Sequence, residues 1–296
     1  MSGSIYKTPA GRELVLAFYD RWLALIDFEA ESVYVETSVG ETHLLVAGPV
    51  DGPPLMIVHG ISGNAMQMAG MLAGLTRSHR CFFVDVPGEP NRSAETYMDR
   101  DDTSFAEWMV EVLDGLGLDR VGMMGASFGA FIILKTASYA PDRISRALLL
   151  TPGGLVGSSF GNRMKLTFYG YWMGVTGSAA AVRGMVDLLA ATRTELGAHW
   201  YEHMELVSTH VHTRYAALPI FDADAFADFQ APTMVIAGAE DILFPVGPLE
   251  EKIRQVVNNL HDFVIIEGGG HIIASAAGVY QVHIAVGDFL SATAPG

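Results

Sequence analysis

The stretch VGMMGASFGAFIILK, residues 121–135, sets one serine between two apolar runs and places a glycine two residues away on each side. Ahead of Ser127, RVGMMG reads as a short buried strand; behind it, FGAFIILKTASYA reads as an apolar helix ended by Pro141. A strand, a tight turn and a helix with a serine at the apex would force a hydroxyl out of a sheet to face a ligand. In a chain with 32 glycines the pattern Gly-x-Ser-x-Gly arises by chance at ~0.2 copies, so its surroundings must decide. A second copy, Gly157 to Gly161, follows a Pro-Gly-Gly break and runs into Asn162, Arg163 and Lys165, which is loop composition. Only Ser127 has a strand before it and a helix after it.

Outward from Ser127 the same alternation continues. PLMIVHG, MAGMLAGLTRSH, CFFVDVPG and FAEWMVEVLDGLG precede it, and RALLLTPGG, a long mostly helical segment, PTMVIAG, PLEEKIRQVVNNL, DFVIIEGG and a terminal helix follow. Continuous apolar strands alternating with helices predict an α/β fold, a mostly parallel sheet covered on both faces, with its ligand site at the carboxyl ends of the strands. Nearer the amino terminus, SVYVETSVG and ETHLLVAG predict two antiparallel strands turning at Gly40, and Thr8 before Pro9 predicts the start of a helix over about residues 8–28. The strand ends would then bring His59, Gly60, Asp85, Ser127, Glu240, Asp241 and His271 to one rim.

A serine hydroxyl is a poor nucleophile near neutral pH; it needs a base to take its proton and a third group to orient that base. Ser127, Asp241 and His271 occur in the order nucleophile, acid, base, on this strand sequence, and the chain from about Ser32 onward resembles the α/β-hydrolase family. The resemblance implies an eight-stranded, mostly parallel sheet with helices on both faces, a core of residues 1–154 and 223–296, and a helical cap inserted at 155–222. It implies Ser127 as nucleophile, His271 as base and Asp241, ahead of its neighbour Glu240, as the orienting acid. Gly125 and Gly129 match the glycines of the family's tight turn; the small residue that follows, commonly another glycine, is here Ala130. The backbone N–H groups of Ile61 and Phe128 correspond to the family's oxyanion hole, with His59 shaping the loop and Asp85 structural. The implied activity is hydrolysis of a small-molecule carboxylic ester without a cofactor. The same fold also carries lactonases, carbon–carbon bond hydrolases, cofactor-free haloperoxidases and non-catalytic receptors.

The cap run RMKLTFYGYWMGV, residues 163–175, packs Phe168, Tyr169, Tyr171, Trp172 and Met173 into a short span. Exposing that much aromatic surface is unfavourable. Phe168 and Trp172, with Ser62, Met66, Met68 and Met71 near the oxyanion loop, are therefore expected to line an apolar pocket for neutral esters of short to medium acyl length. One competing motif is HWYEH, residues 199–203, which fits a zinc-binding pattern with Glu202 as base and His210 and His212 nearby. A catalytic zinc needs a third protein ligand that the sequence does not identify, so the segment is read as a solvated helix face and no metal is assigned.

A net charge of −15 and a sequence pI near 4.9 oppose contact with phosphate backbones and exclude nucleic acid as a partner. The single cysteine, Cys81 in RCFFVDV, permits no internal disulfide and reads as a buried strand thiol, which suits a reducing, cytoplasmic compartment. Asp20 and Arg21 interrupt the apolar amino-terminal segment, so no membrane insertion is expected. Self-association into a homo-oligomer stays open.

Overall fold

The computed structural model describes residues 3–191, 196–213, 217–273 and 275–293. Eight strands form one sheet in the order β1-β2-β4-β3-β5-β6-β7-β8. They are β1 (Ala30–Thr37), β2 (Gly40–Ala47), β3 (Pro54–Val58), β4 (Arg80–Val84), β5 (Val121–Ala126), β6 (Ile144–Leu150), β7 (Thr233–Gly238) and β8 (Leu260–Ile266). The pairs β1–β2 and β2–β4 are antiparallel, and every other pair is parallel. This is the mostly parallel, doubly covered sheet expected from the alternating runs.

The inner strands β3 to β7 read as mostly apolar runs because both of their faces are buried. Leu55, Ile57, Cys81 and Phe83 point into one core, with α1 (Pro9–Leu23), α2 (Ala65–Met71) and α9 (Ala276–Ala292). Met56, Val58, Phe82 and Val84 point into the other, with α3 (Ser104–Gly115), α4 (Phe128–Tyr139) and α8 (Val246–Val256). Alternate residues serve opposite layers, the two-residue period of a strand. Cys81 is fully buried, and burial pushes its thiol up to about 12, so it is an unreactive core residue.

The Thr8 hydroxyl accepts the Gly11 N–H and Pro9 occupies the first turn of α1, which ends at Leu23, short of the expected 28. Between β6 and β7 the chain leaves the sheet to form a cap of α5 (Phe160–Thr176), α6 (Ala179–Ala190) and α7 (Ala198–His210). Residues 192–195 and 214–216 of the expected cap lie outside the described residues. The second Gly-x-Ser-x-Gly departs from its loop reading: Ser159 accepts the Asn162 N–H and caps α5, so Asn162, Arg163 and Lys165 are helical. Among the described residues, no helix is long and apolar enough to cross a membrane.

Candidate active site

Ser127 sits between β5 and α4 with φ 52° and ψ −107°. That left-handed φ costs a non-glycine residue about 1–3 kcal/mol and persists only where surrounding structure enforces it. The enforcement is steric and hydrogen-bonded. A Cβ on Gly129 would lie 2.2 Å from the Val58 carbonyl oxygen, and one on Gly125 would lie 2.5 Å from the Gly129 carbonyl carbon. The first turn of α4 is thus pressed against the end of β3, while the Ser127 N–H donates to Leu150 O at 2.8 Å.

Three side chains from separate strand ends meet in one row. His271 Nε2 lies 2.8 Å from Ser127 Oγ, and His271 Nδ1 lies 2.9 Å from Asp241 Oδ2. An ionised carboxylate can only accept, so Nδ1 carries the proton and Nε2 presents its lone pair to the serine hydroxyl. Asp241 is buried, and its other oxygen accepts the N–H groups of Leu243 at 2.7 Å and Phe244 at 3.0 Å. Its neighbour Glu240 is exposed. The cap reaches this row: the Ile272 N–H donates to Leu189 O in α6, and a Cβ on Gly270 would lie 2.3 Å from that same oxygen.

The loop after β3 is held one peptide at a time. A trans peptide points its C=O and N–H in opposite directions. The Gly60 carbonyl accepts from His59 Nδ1 at 2.8 Å and from the Gly63 N–H at 3.0 Å, which turns the Ile61 N–H away from His59. His59 is fully buried, its pKa lowered by burial, and its Nε2 accepts the Val86 N–H, fixing the neutral tautomer. Among the described residues no hydrogen bond uses the Ile61 or Phe128 N–H, and the latter opens a helix whose first donors have no internal partner. The loop touches the Ser127 turn: a Cβ on Gly60 would lie 3.5 Å from Ala126 O and 3.6 Å from Ser127 Cβ. Asp85 ties β4 to α2, pairing with His43 Nδ1 at 2.8 Å and accepting the Ala65 N–H at 2.7 Å.

Other expected pocket residues are placed differently. Phe168 is 61% exposed and touches Tyr169 and Trp172, because Phe160, Met164, Phe168, Tyr171 and Val175 form the outer stripe of α5 at spacings of three and four. Trp172 packs on the cap's inner cluster of Met173, Val182 and Val186, beside Ile272. Met66 and Met68 are buried in the core under α1, and Met71 packs at its edge, since Asn64 caps α2 and lays it straight onto the sheet. Leu218 and Phe244, which no motif signals, close around Gly153 and the Ser127 carbonyl. Phe244 also meets the His271 ring edge-on at 5.2 Å.

The HWYEH segment is a solvated face only in part. Glu202 is exposed and pairs with Arg21 at the surface, whereas α1 covers the other side, where His199 packs on Trp22. His203 is fully buried and donates through Nε2 to Ser62 O at 2.7 Å. Among the described residues, no group of three or more His, Cys, Asp or Glu side chains is placed to hold a metal ion. The sequence reading also missed Glu89, in the loop after β4, whose carboxylate accepts the Ser62 N–H at 2.7 Å. Burial pushes this carboxyl up to about 7 against the opposing pull of that N–H and of Arg100.

A doubly covered sheet with a serine on a strained strand-to-helix turn, a histidine and a buried carboxylate in line, and a helical cap above defines the α/β-hydrolase class. The family model for the alpha/beta hydrolase fold matches residues 53–275, and the chain belongs to that family. It is similar to the carboxylesterase YbfK of Bacillus subtilis strain 168, 26% identical over 262 residues that cover 86% of each chain. Among solved structures, carboxylesterase CesB (YbfK) from Bacillus subtilis superposes with a TM-score of 0.82 at 22% identity, covering 96% of this chain and 99% of that one. Naproxen esterase from Bacillus subtilis superposes with a TM-score of 0.83 at 19% identity and the same coverage.

Proposed function

We propose that this protein is a serine hydrolase that cleaves carboxylic esters through an acyl-enzyme at Ser127. The observation that carries the reading is the hydrogen-bonded row from Ser127 Oγ through the His271 ring to Asp241. Ser127 Oγ adds to the ester carbonyl as its proton passes to His271 Nε2. The charge that develops on the carbonyl oxygen is met by the Ile61 and Phe128 N–H groups. His271 then gives its proton to the departing alcohol, leaving Ser127 acylated. A water molecule repeats the sequence, and the acid is released. Asp241 keeps Nδ1 protonated and stabilises the imidazolium in each half. The relative named a carboxylesterase supports the same class of substrate.

The substrate class follows from the walls. Phe244 meets the His271 ring and gathers with Leu218 at Gly153 beside the Ser127 carbonyl, and the cap cluster of Trp172, Met173 and Val182 reaches Ile272, so an acyl group at Ser127 is expected to meet apolar side chains. A charged acyl group would lose its hydration there without a partner. Small to medium neutral esters are preferred. The test is kcat/KM for p-nitrophenyl esters from acetate to octanoate beside the matched hemisuccinate. The expected result is a preference for short to medium neutral chains, with the hemisuccinate at least tenfold slower by roughly the 1.4 kcal/mol that a factor of ten represents. A preference for the hemisuccinate would overturn the apolar-pocket assignment.

A further inference from the structure

Ser62 is a second left-handed non-glycine residue beside the site, with φ 59° and 2% exposure. It directly follows Ile61. Its two peptide groups are gripped by two different elements. The N–H donates to Glu89 Oε2 at 2.7 Å, from the loop after β4, and the C=O accepts from His203 Nε2 at 2.7 Å, from cap helix α7. With His59 on the Gly60 carbonyl, three consecutive peptide planes are each fixed by a different side chain. The middle plane contains the Ile61 C=O and the Ser62 N–H, and its rotation swings the preceding Ile61 N–H.

We infer that Glu89 and His203 are positioning residues that hold Ser62 in its left-handed conformation and so aim the Ile61 N–H at the developing oxyanion. This rests on the acyl-enzyme reading above. Both act through the backbone without touching substrate. A non-glycine residue leaves the left-handed region readily, so bonds to both of its peptide groups are needed to keep it there. His203 suits the task because it is uncharged: burial lowers its pKa to about 4, and its ring is held beside Phe18 and Trp22. Among the described residues its Nδ1 has no partner, and the ring's hydrogen bond is the one to Ser62. The cap is thereby made part of the oxyanion loop. The end of α7 is in turn braced by the segment ahead of α1, where Tyr6 bridges Val211 and the Lys7 N–H donates to His210 O.

The side-chain chemistry dictates the test. His203→Phe keeps a ring but removes the donor, whereas His203→Gln returns an N–H near the position of Nε2. Glu89→Leu removes the acceptor, whereas Glu89→Gln keeps an acceptor oxygen without the charge. For each variant, kcat and KM for a neutral p-nitrophenyl ester, the Ki of an alkylboronic acid that forms a tetrahedral adduct on serine, and amide hydrogen exchange over residues 61–63 would be measured, with Ser127→Ala as control. His203→Phe and Glu89→Leu are expected to lower kcat about 10- to 100-fold with KM within about twofold, because a misaimed donor loses up to what a deleted one does. Boronate affinity should fall by a similar factor and exchange at 61–63 should quicken, with both Gln variants recovering most of the loss. Unchanged kcat and boronate affinity in His203→Phe and Glu89→Leu would overturn the inference, whatever the exchange. So would Gln variants no better than their apolar counterparts. If Ser127→Ala instead kept turnover and boronate binding, the acyl-enzyme reading would fail, and quickened exchange alone would still support the hold on Ser62.

Discussion

Adding one methyl group at Gly129 tests how the two halves of the oxyanion hole are assembled. Its Cβ would lie 2.2 Å from Val58 O and 2.7 Å from His59 O, both backbone atoms at the end of β3. Carbon atoms in proteins do not approach so closely, and about 1 Å of retreat is needed to relieve the contact. β3 runs directly into Gly60 and Ile61, and α4 begins at Phe128, so the retreat separates the two N–H donors by that amount. A misplacement of about 1 Å costs on the order of a hundredfold in rate. Forcing the extra volume into a tight contact costs about 1–3 kcal/mol of stability. The control is Gly161→Ala, at the matching position of the second Gly-x-Ser-x-Gly. That glycine lies within α5 with nothing within 4 Å of an added Cβ, and alanine there should be neutral or stabilising by up to about 1 kcal/mol. Melting temperature and kcat/KM on one neutral ester suffice as the assay. Gly129→Ala with parental activity and melting temperature would show that β3 and α4 are not in steric contact at this point, as would equal losses from the two substitutions.

Asp241→Asn should lower kcat by orders of magnitude, since the amide leaves His271 free to take the wrong tautomer, while Glu240→Gln at the exposed neighbouring position should stay near parental activity; steady-state kinetics on both decides between them. His203 makes the fold acid-sensitive in a defined window. Its folded pKa of about 4 lies below the ordinary value of 6.5, so its contribution is complete above pH 6.5 and is lost as pH falls through about 4. The parent should lose about 3 kcal/mol relative to His203→Gln across that range, seen as a melting-temperature difference of roughly 5 °C that opens only below pH 6.5.

The sheet was legible because β3 to β7 are buried on both faces and carry apolar runs whose polar residues, Arg80, Ser145, Arg146 and Thr233, fall near the strand starts. Ser127 and Asp241 were legible because they follow the buried strands β5 and β7, where a polar residue is conspicuous, and His271 because it follows β8 and three glycines. What escaped lies where burial is decided by partners distant in sequence. α7 looks solvated from its own letters, and only the docking of α1 buries His203. Glu89 stands in a Pro-Gly-Glu-Pro turn that reads as surface, yet its carboxylate turns inward to Ser62. In α5 the aromatic run had two helical faces to choose between, and composition alone does not say that Phe168 takes the outer one while Met173 takes the inner.

Ser127, among all the serines of this chain, is the proposed activated nucleophile. Incubation with a fluorophosphonate, followed by digestion and peptide mapping by mass spectrometry, tests it most directly. A single phosphonylated site at Ser127 is expected, with loss of the label and of ester turnover together in Ser127→Ala, and full labelling in Ser159→Ala, whose hydroxyl caps α5. Labelling at another residue, or ester turnover that survives Ser127→Ala, would contradict it.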